Sequence, residues 1–134
     1  MDVLATLRED YARFPRDQTY DIYAEDLVFA DPVMRVRGRE QFRGMIAFLA
    51  TWFRDIELVL HDIWQEGPVI HTRWTMRWTA PLPWQPRVSV TGRSELTLNE
   101  QGLIGQQIDY WDCSRWDLVR QHWPFASQRP HRRQ

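Results

Sequence analysis

The sequence predicts an α+β fold in which three N-terminal helices pack on one face of a curved antiparallel sheet. As far as Phe53, apolar residues recur every three or four positions, which is the period of amphipathic helices. After Asp55 the period changes to two, and β-branched and aromatic residues become frequent, as is typical of strands. Helices followed by a run of strands indicate segregated layers, and we expect the sheet to curl into a half-open cone.

Three helices are predicted before the strands. The first has the apolar stripe Leu4, Leu7, Tyr11 and Phe14 and stops at Pro15. A shorter second helix, capped by Asp17, is expected to run through Tyr20 and Tyr23 to Ala24. The third follows Gly38, and its apolar face consists of Phe42, Met45, Ile46, Leu49, Trp52 and Phe53.

The predicted strands begin with a short apolar run, 27–30, which ends abruptly at Asp31 and Pro32. Longer strands are predicted over 56–64, 69–79, 87–98 and 103–113, and residues 116–123 are predicted to add a helical turn. The 69–79 segment alternates cleanly, with one face formed by Ile70, Thr72, Trp74, Met76 and Trp78.

Composition indicates one ordinary soluble domain, because 134 residues with 43% hydrophobic and 26% charged side chains are typical of such a domain. We expect this domain to span residues 1–125, followed by a disordered basic tail over 126–134. No apolar run approaches the length of a membrane span, and we expect no membrane partner. The single cysteine, Cys113, fits a reducing compartment, so a cytoplasmic location is predicted.

Several chemistries are disfavoured by what the sequence lacks. All 17 basic residues are arginine, which excludes Schiff-base lysines and the lysine of a P-loop. There is no dinucleotide-binding glycine motif, and neither His61 nor His71 has neighbours at metal-ligand spacing. We therefore expect no cofactor and no metal. The acidic N-terminal third also argues against a nucleic-acid partner.

The order of elements resembles the nuclear transport factor 2-like superfamily, which includes ketosteroid isomerase, SnoaL-like polyketide cyclases, scytalone dehydratase and limonene epoxide hydrolase. The resemblance covers roughly residues 3–116 and rests on YAEDLVFADP, VRGREQFRGMIAFL, VTGRSELTLNEQGLI and YWD. Within the superfamily, the chain looks most like an uncharacterised cyanobacterial and plastid branch. The resemblance implies a cone-shaped α+β barrel of the cystatin-like type, a pocket on the concave sheet face and frequent homodimers.

The resemblance also implies candidate catalytic residues. In the isomerases, the carboxylate of the strand-ending Asp-Pro is the general base, and Asp31 matches that position. Tyr11 lies near the position of a tyrosine that holds the enolate oxygen. Ser94 stands where the isomerases have a protonated aspartate, a departure that puts steroid isomerisation in doubt. In the cyclases an acid on the last strand transfers protons, and Asp109 is the candidate.

Each candidate also has a structural interpretation. Asp31 fits a turn residue equally well. Asp109 fits a surface acid or a partner of Arg93, and Tyr11 fits a core residue. The candidate ligand-binding residues, which fit core positions as well, are Trp52, Trp74, Met76, Trp78, Ser94, Gln107 and Trp111. The sequence thus predicts a domain that binds a small apolar organic molecule and leaves two functions open: proton-transfer catalysis of the isomerase, cyclase or dehydratase type, or a non-catalytic dimerisation or interaction module.

Overall fold

A computed structural model describes residues 2–124 and shows a six-stranded, curved and unclosed sheet with helices on its inner side. The strands are β1 (Tyr23–Ala30), β2 (Arg35–Arg37), β3 (Arg54–Glu66), β4 (Val69–Thr79), β5 (Arg87–Leu98) and β6 (Ile104–Trp111). Their order in the sheet is β2-β1-β6-β5-β4-β3. The predicted α+β cone is confirmed, with one correction: the sheet is mixed, because β1 pairs with β6 in parallel.

Helix α1 (Val3–Arg13) begins where the Asp2 side chain accepts a hydrogen bond from the backbone N–H of Ala5, and it ends before Pro15. The predicted second helix is wrong in extent. Only a single 3₁₀ turn, Tyr20–Ile22, forms there, and Tyr23 and Ala24 belong to β1. The strand prevails because Tyr23 pairs with Ile104 in the parallel ladder.

Helix α2 (Arg39–Trp52) follows the β1–β2 hairpin and turns back over the sheet. Gly38 precedes it with a φ of +91°, a conformation that glycine adopts without the strain of a Cβ atom. The Gly38 N–H donates to the carbonyl oxygen of Leu27 at 2.6 Å, which ties the start of α2 to β1.

The core lies between the helices and the inner face of the sheet. The two helices contribute Leu7, Tyr11, Phe42 and Ile46, and the strands contribute Leu27, Phe29, Ile70, Trp74, Trp78, Val88, Val90 and Leu96. Alternate residues of β5 point outward, so its burial alternates along most of its length. This alternation decides which face is concave: on β6 it is the face of Gln107, while Tyr110 points outward.

A short third helix, α3 (Arg115–Gln121), lies at the C-terminal end rather than among the N-terminal helices. The Gln121 side chain accepts from the backbone N–H of Ser89 and donates to its carbonyl oxygen, which fastens α3 to β5. None of the helices within residues 2–124 combines the length and apolarity that a membrane span requires. The predicted disordered tail, 126–134, lies outside the described residues.

Candidate functional site

Asp109, on the inner face of β6, is the carboxylate at the centre of the site. Its Oδ1 accepts a hydrogen bond of 2.6 Å from the Ser94 hydroxyl and one of 3.2 Å from the side-chain amide of Gln107. Ser94 lies directly opposite Asp109 in the β5–β6 register, so the sheet itself sets this contact. Among the described residues, Oδ2 of Asp109 accepts no hydrogen bond. One carboxylate oxygen is thus held in place and the other is left for a ligand.

The surroundings of Asp109 favour its protonated form more than water does. The pKa of its carboxyl group is raised from 3.8 to about 6, mainly by burial and to a lesser extent by the nearby charge of Asp31. The hydrogen bonds from Ser94 and Gln107 act in the opposite direction, because they stabilise the carboxylate. A carboxyl group with a pKa near 6 is mostly ionised at neutral pH and is a stronger base than an ordinary aspartate.

Two buried tyrosines lie close to this carboxylate. The Tyr11 hydroxyl, brought in by α1, is 3.0 Å from the hydroxyl oxygen of the fully buried Thr72 on β4. Burial raises the pKa of both Tyr11 and Tyr23, and the charge of Asp109 adds to the increase in each. Both phenols therefore stay neutral and can donate hydrogen bonds.

Trp74 acts on the Asp109 carboxylate through Ser94. Its indole N–H donates to the Ser94 hydroxyl oxygen at 2.8 Å. Gly92 makes room for the indole, because a Cβ atom there would lie 3.0 Å from the Trp74 ring and closer still to the carbonyl oxygen of Tyr110. Trp74, Ser94 and Asp109 thus form one chain of hydrogen bonds across β4, β5 and β6.

Asp31 makes the contacts of a turn residue. Its Oδ1 accepts from the backbone N–H groups of Val33 and Met34, both at 2.9 Å, and its own N–H donates to the carbonyl oxygen of Met34. It is half-buried, and it lies near enough to Asp109 for its charge to act on that residue. Two carboxylates therefore stand at the same end of the inner face.

The other predicted ligand-binding residues are spread along the fold. Trp78 is buried and stacks on Phe53 with ring centroids 5.7 Å apart, while Met76 and Trp111 are half-buried against the core. The Asp109 cluster consists of Asp109 and the side chains around it: Tyr11, Tyr23, Thr72, Trp74, Ser94 and Gln107. Trp52 is not part of it. It lies on the exposed side of α2 beside Phe48, with 56% of its surface accessible.

Sequence reasoning missed Tyr23 and Thr72 as members of the cluster. Tyr23 was expected in a helix, although it shares the odd-numbered parity of Leu27 and Phe29, which point inward from β1. The alternation groups Thr72 with Trp74 and Trp78 on one face of the strand without showing that this face points inward, and the available signal is a hydroxyl among apolar neighbours.

An open groove of about 590 Å³ lies elsewhere, between α1 and the edge strand β3. It is lined by Arg8, Ala12 and residues 58–63. None of these belongs to the cluster around Asp109, so the groove is a separate surface feature.

Solved structures of the same fold span most of the chain. A hypothetical protein with a ketosteroid isomerase-like fold from Catenulispora acidiphila, solved in complex with trimethylamine, superposes with a TM-score of 0.72 at 16% identity, covering 96% of this chain and 98% of that one. A nuclear transport factor 2-like protein of unknown function from Burkholderia pseudomallei gives 0.67 at 18% identity, covering 81% and 88%. An LEH-like epoxide hydrolase from M. tuberculosis gives 0.62 at 20% identity, covering 87% and 80%.

These likenesses establish the fold as that of the nuclear transport factor 2-like superfamily, and at these identities they establish the fold alone. Comparison with curated proteins gives no match. The family model described as "Uncharacterized conserved protein (DUF2358)" matches residues 1–107, which is most of the chain. This protein therefore belongs to the DUF2358 family of uncharacterized conserved proteins.

Proposed function

We propose that this protein binds a small, largely apolar ketone on the inner face of its sheet and catalyses proton transfer at the carbon next to the carbonyl group. The observation that carries the proposal is Asp109: its carboxyl group has a pKa of about 6, with Oδ1 held by Ser94 and Gln107 and Oδ2 free to take a proton. The surrounding aromatic and aliphatic side chains would supply the apolar walls of the pocket.

Asp109 is preferred over Asp31 as the base. The hydrogen bonds of Asp31 belong to the turn after β1, and they hold its carboxylate against the backbone. The Asp109 carboxylate is not needed to hold its strand in place, because backbone pairing with β5 and β1 already fixes β6. In this proposal Asp31 shapes the turn and adds negative charge that makes Asp109 more basic.

The reaction needs no co-reactant. The Asp109 carboxylate removes a proton from the carbon next to the carbonyl group, and the electron pair of that C–H bond moves to the carbonyl oxygen as an enolate. A neutral tyrosine of the cluster, Tyr11 or Tyr23, donates a hydrogen bond to that oxygen. Returning the proton to the same carbon gives exchange with solvent, and returning it to a conjugated carbon gives an isomer.

Deuterium incorporation tests the proposal. α-Hydroxyacetophenone and acetophenone, incubated with the full chain in D₂O, are expected to exchange the protons next to their carbonyl groups faster than in buffer alone, as followed by proton NMR. The rate should rise with pH to a plateau, with a midpoint near 6, because the carboxylate is the active form. Asp109→Asn should lower the enzymatic rate at least about 100-fold.

The matched control is Asp112→Asn, since Asp112 is an exposed aspartate three residues along the chain. It should exchange both probes like the wild type. Equal loss in both variants, or no exchange above buffer in the wild type with either ketone, would contradict proton-transfer catalysis.

Homodimerisation is a second part of this proposal and involves the outer face of the sheet. The Arg93 guanidinium lies 4.0 Å from the ring centroid of Tyr110, which is exposed on β6. Arginine and tyrosine are enriched at protein interfaces, which favours this patch as the contact. A sedimentation mass of one 16.2 kDa chain at micromolar concentration would contradict dimerisation, and Tyr110→Glu should dissociate the dimer.

We propose a cytoplasmic location in keeping with the single cysteine, Cys113, which is a free thiol in the structure. Fractionation of cells that express the full chain checks this, and recovery outside the cytoplasmic fraction would contradict it.

A further inference from the structure

Two polar groups near Asp109 have no partner among the described residues. The side-chain carbonyl oxygen of Gln107 is buried and accepts no hydrogen bond within residues 2–124, although Gln107 itself is only 8% exposed. The hydroxyl of Tyr23, a residue 7% exposed, likewise makes no hydrogen bond in that range. A buried polar atom without a partner is costly, so the Gln107 oxygen points to a group that binds there. The Tyr23 hydroxyl has no partner within residues 2–124 and is available to the same ligand.

Both groups lie near Asp109. The Gln107 amide nitrogen is 3.2 Å from Oδ1 of Asp109, and its carbonyl oxygen, attached to the same amide carbon, lies within a few ångströms of that carboxylate. Tyr23 is close enough to feel the charges of Asp109 and Tyr11. Tyr11 already has Thr72 as a partner, whereas Tyr23 is unengaged.

The chemistry of the two groups is complementary. A phenol O–H donates, so Tyr23 suits a ligand carbonyl oxygen, while the carbonyl oxygen of Gln107 only accepts and requires an O–H or N–H on the ligand. The carboxylate of Asp109 lies near both. A ligand that satisfies all three has an acceptor, an acidic C–H and a donor on neighbouring atoms.

We propose that Tyr23 and Gln107 select a ketone with a hydroxyl group on the carbon next to its carbonyl group. Tyr23 holds the ketone oxygen, Gln107 accepts the hydroxyl proton in a hydrogen bond, and Asp109 faces the C–H between them. This inference rests on the proposed function for the placement of the ligand, but its test measures binding and not turnover.

The probes are α-hydroxyacetophenone, α-methoxyacetophenone, which keeps the oxygen but lacks the donor, and acetophenone, which lacks both. Dissociation constants are measured by ¹⁵N–¹H NMR titration at pH 8, where Asp109 is ionised. We expect the wild type to bind the hydroxy ketone roughly tenfold more tightly than the other two, the difference that one hydrogen bond to a buried acceptor makes.

Variants of neighbouring glutamines make the test specific. Gln107→Met keeps the shape but removes the acceptor, and it should bind all three ketones about equally. Gln106→Met is the matched control, because Gln106 is exposed on the adjacent position of β6, and it should keep the tenfold preference. Tyr23→Phe should raise the dissociation constants of all three ketones by a similar factor, since each ketone carries the carbonyl group that Tyr23 binds.

Equal affinity of the wild type for the three ketones would overturn the inference, and so would a preference that survives in Gln107→Met. Absence of binding at millimolar concentration would also overturn it. Its failure is distinguishable from failure of the proposed function. Proton exchange without a hydroxyl preference leaves catalysis standing, and a hydroxyl preference without exchange leaves the binding site standing.

Discussion

The indole N–H of Trp74 donates to the hydroxyl oxygen of Ser94 at 2.8 Å, and this contact fixes the direction of the next hydrogen bond. An indole N–H can only donate, so Ser94 must accept from it, and the single proton of Ser94 is left to donate to Asp109. A hydroxyl group can both donate and accept, and this contact makes the Ser94 hydroxyl a donor to the carboxylate. Sequence-distant strands cooperate here to set the basicity of one side chain.

Ser94→Ala should raise the pKa of Asp109 above its wild-type value of about 6, because the bond that stabilises the carboxylate is lost. A hydrogen bond to a charged group is worth about 1.5–3 kcal/mol, so the increase should be about one unit or more. Titration of the Asp109 carboxyl carbon by ¹³C NMR measures it. Ser89→Ala, on the outward side of the same strand, should leave the midpoint unchanged. A midpoint that stays at its wild-type value in Ser94→Ala would show that the serine is no donor.

Asp109→Asn should stabilise the protein at pH 8 and change its stability little at pH 3.5. The carboxyl group binds its proton more tightly in the folded chain, with a pKa of about 6 against 3.8, so its contribution to stability falls as pH rises through this interval. The upper limit of this penalty is about 3 kcal/mol, and we expect the variant to recover about 1–2 kcal/mol. Urea unfolding at the two pH values measures the difference. A variant less stable than the wild type at pH 8 would contradict the penalty.

Gly92→Ala should destabilise the fold by about 2–4 kcal/mol, since the new methyl group would collide with the Tyr110 carbonyl oxygen and press on the Trp74 ring. The matched substitution is Gly44→Ala in α2, where a Cβ atom meets nothing within 4 Å. That change should stabilise by up to about 1 kcal/mol through helix propensity. Thermal unfolding of both variants gives the comparison, and similar shifts in the two would refute the close-approach role of Gly92.

Asp10→Ala should cost about 2–4 kcal/mol of folding free energy. Asp10 is 2% exposed, and its carboxylate accepts from the backbone N–H and hydroxyl of Thr19 and from Arg13. Removing the carboxylate leaves these donors without an acceptor at the turn that leads into β1. Glu9→Ala, at an exposed neighbouring position, should change the unfolding free energy by less than about 0.5 kcal/mol. Comparable losses in both variants would contradict an anchoring role for Asp10.

The sequence by itself determined the elements whose periodicity is strong. The apolar stripe of α1, the face of α2 that carries Phe42 and Ile46, and the alternation of β4 and β5 all follow from local spacing. Each of these patterns is visible in the chain because a helix or a half-buried strand repeats within a few residues. The order of those elements also predicts the fold, and the solved structures at TM-scores of 0.72 and 0.67 confirm that fold.

Only the tertiary structure decided the remaining questions, because they depend on contacts between residues far apart in the chain. The parallel pairing of β1 with β6 drew Tyr23 out of its predicted helix and into the site. The same sheet placed Asp109 opposite Ser94. Which carboxylate has its pKa raised by desolvation, and which of its oxygens stays free, depends on packing and on hydrogen-bond partners supplied by β5 and β6. No local pattern contains that information.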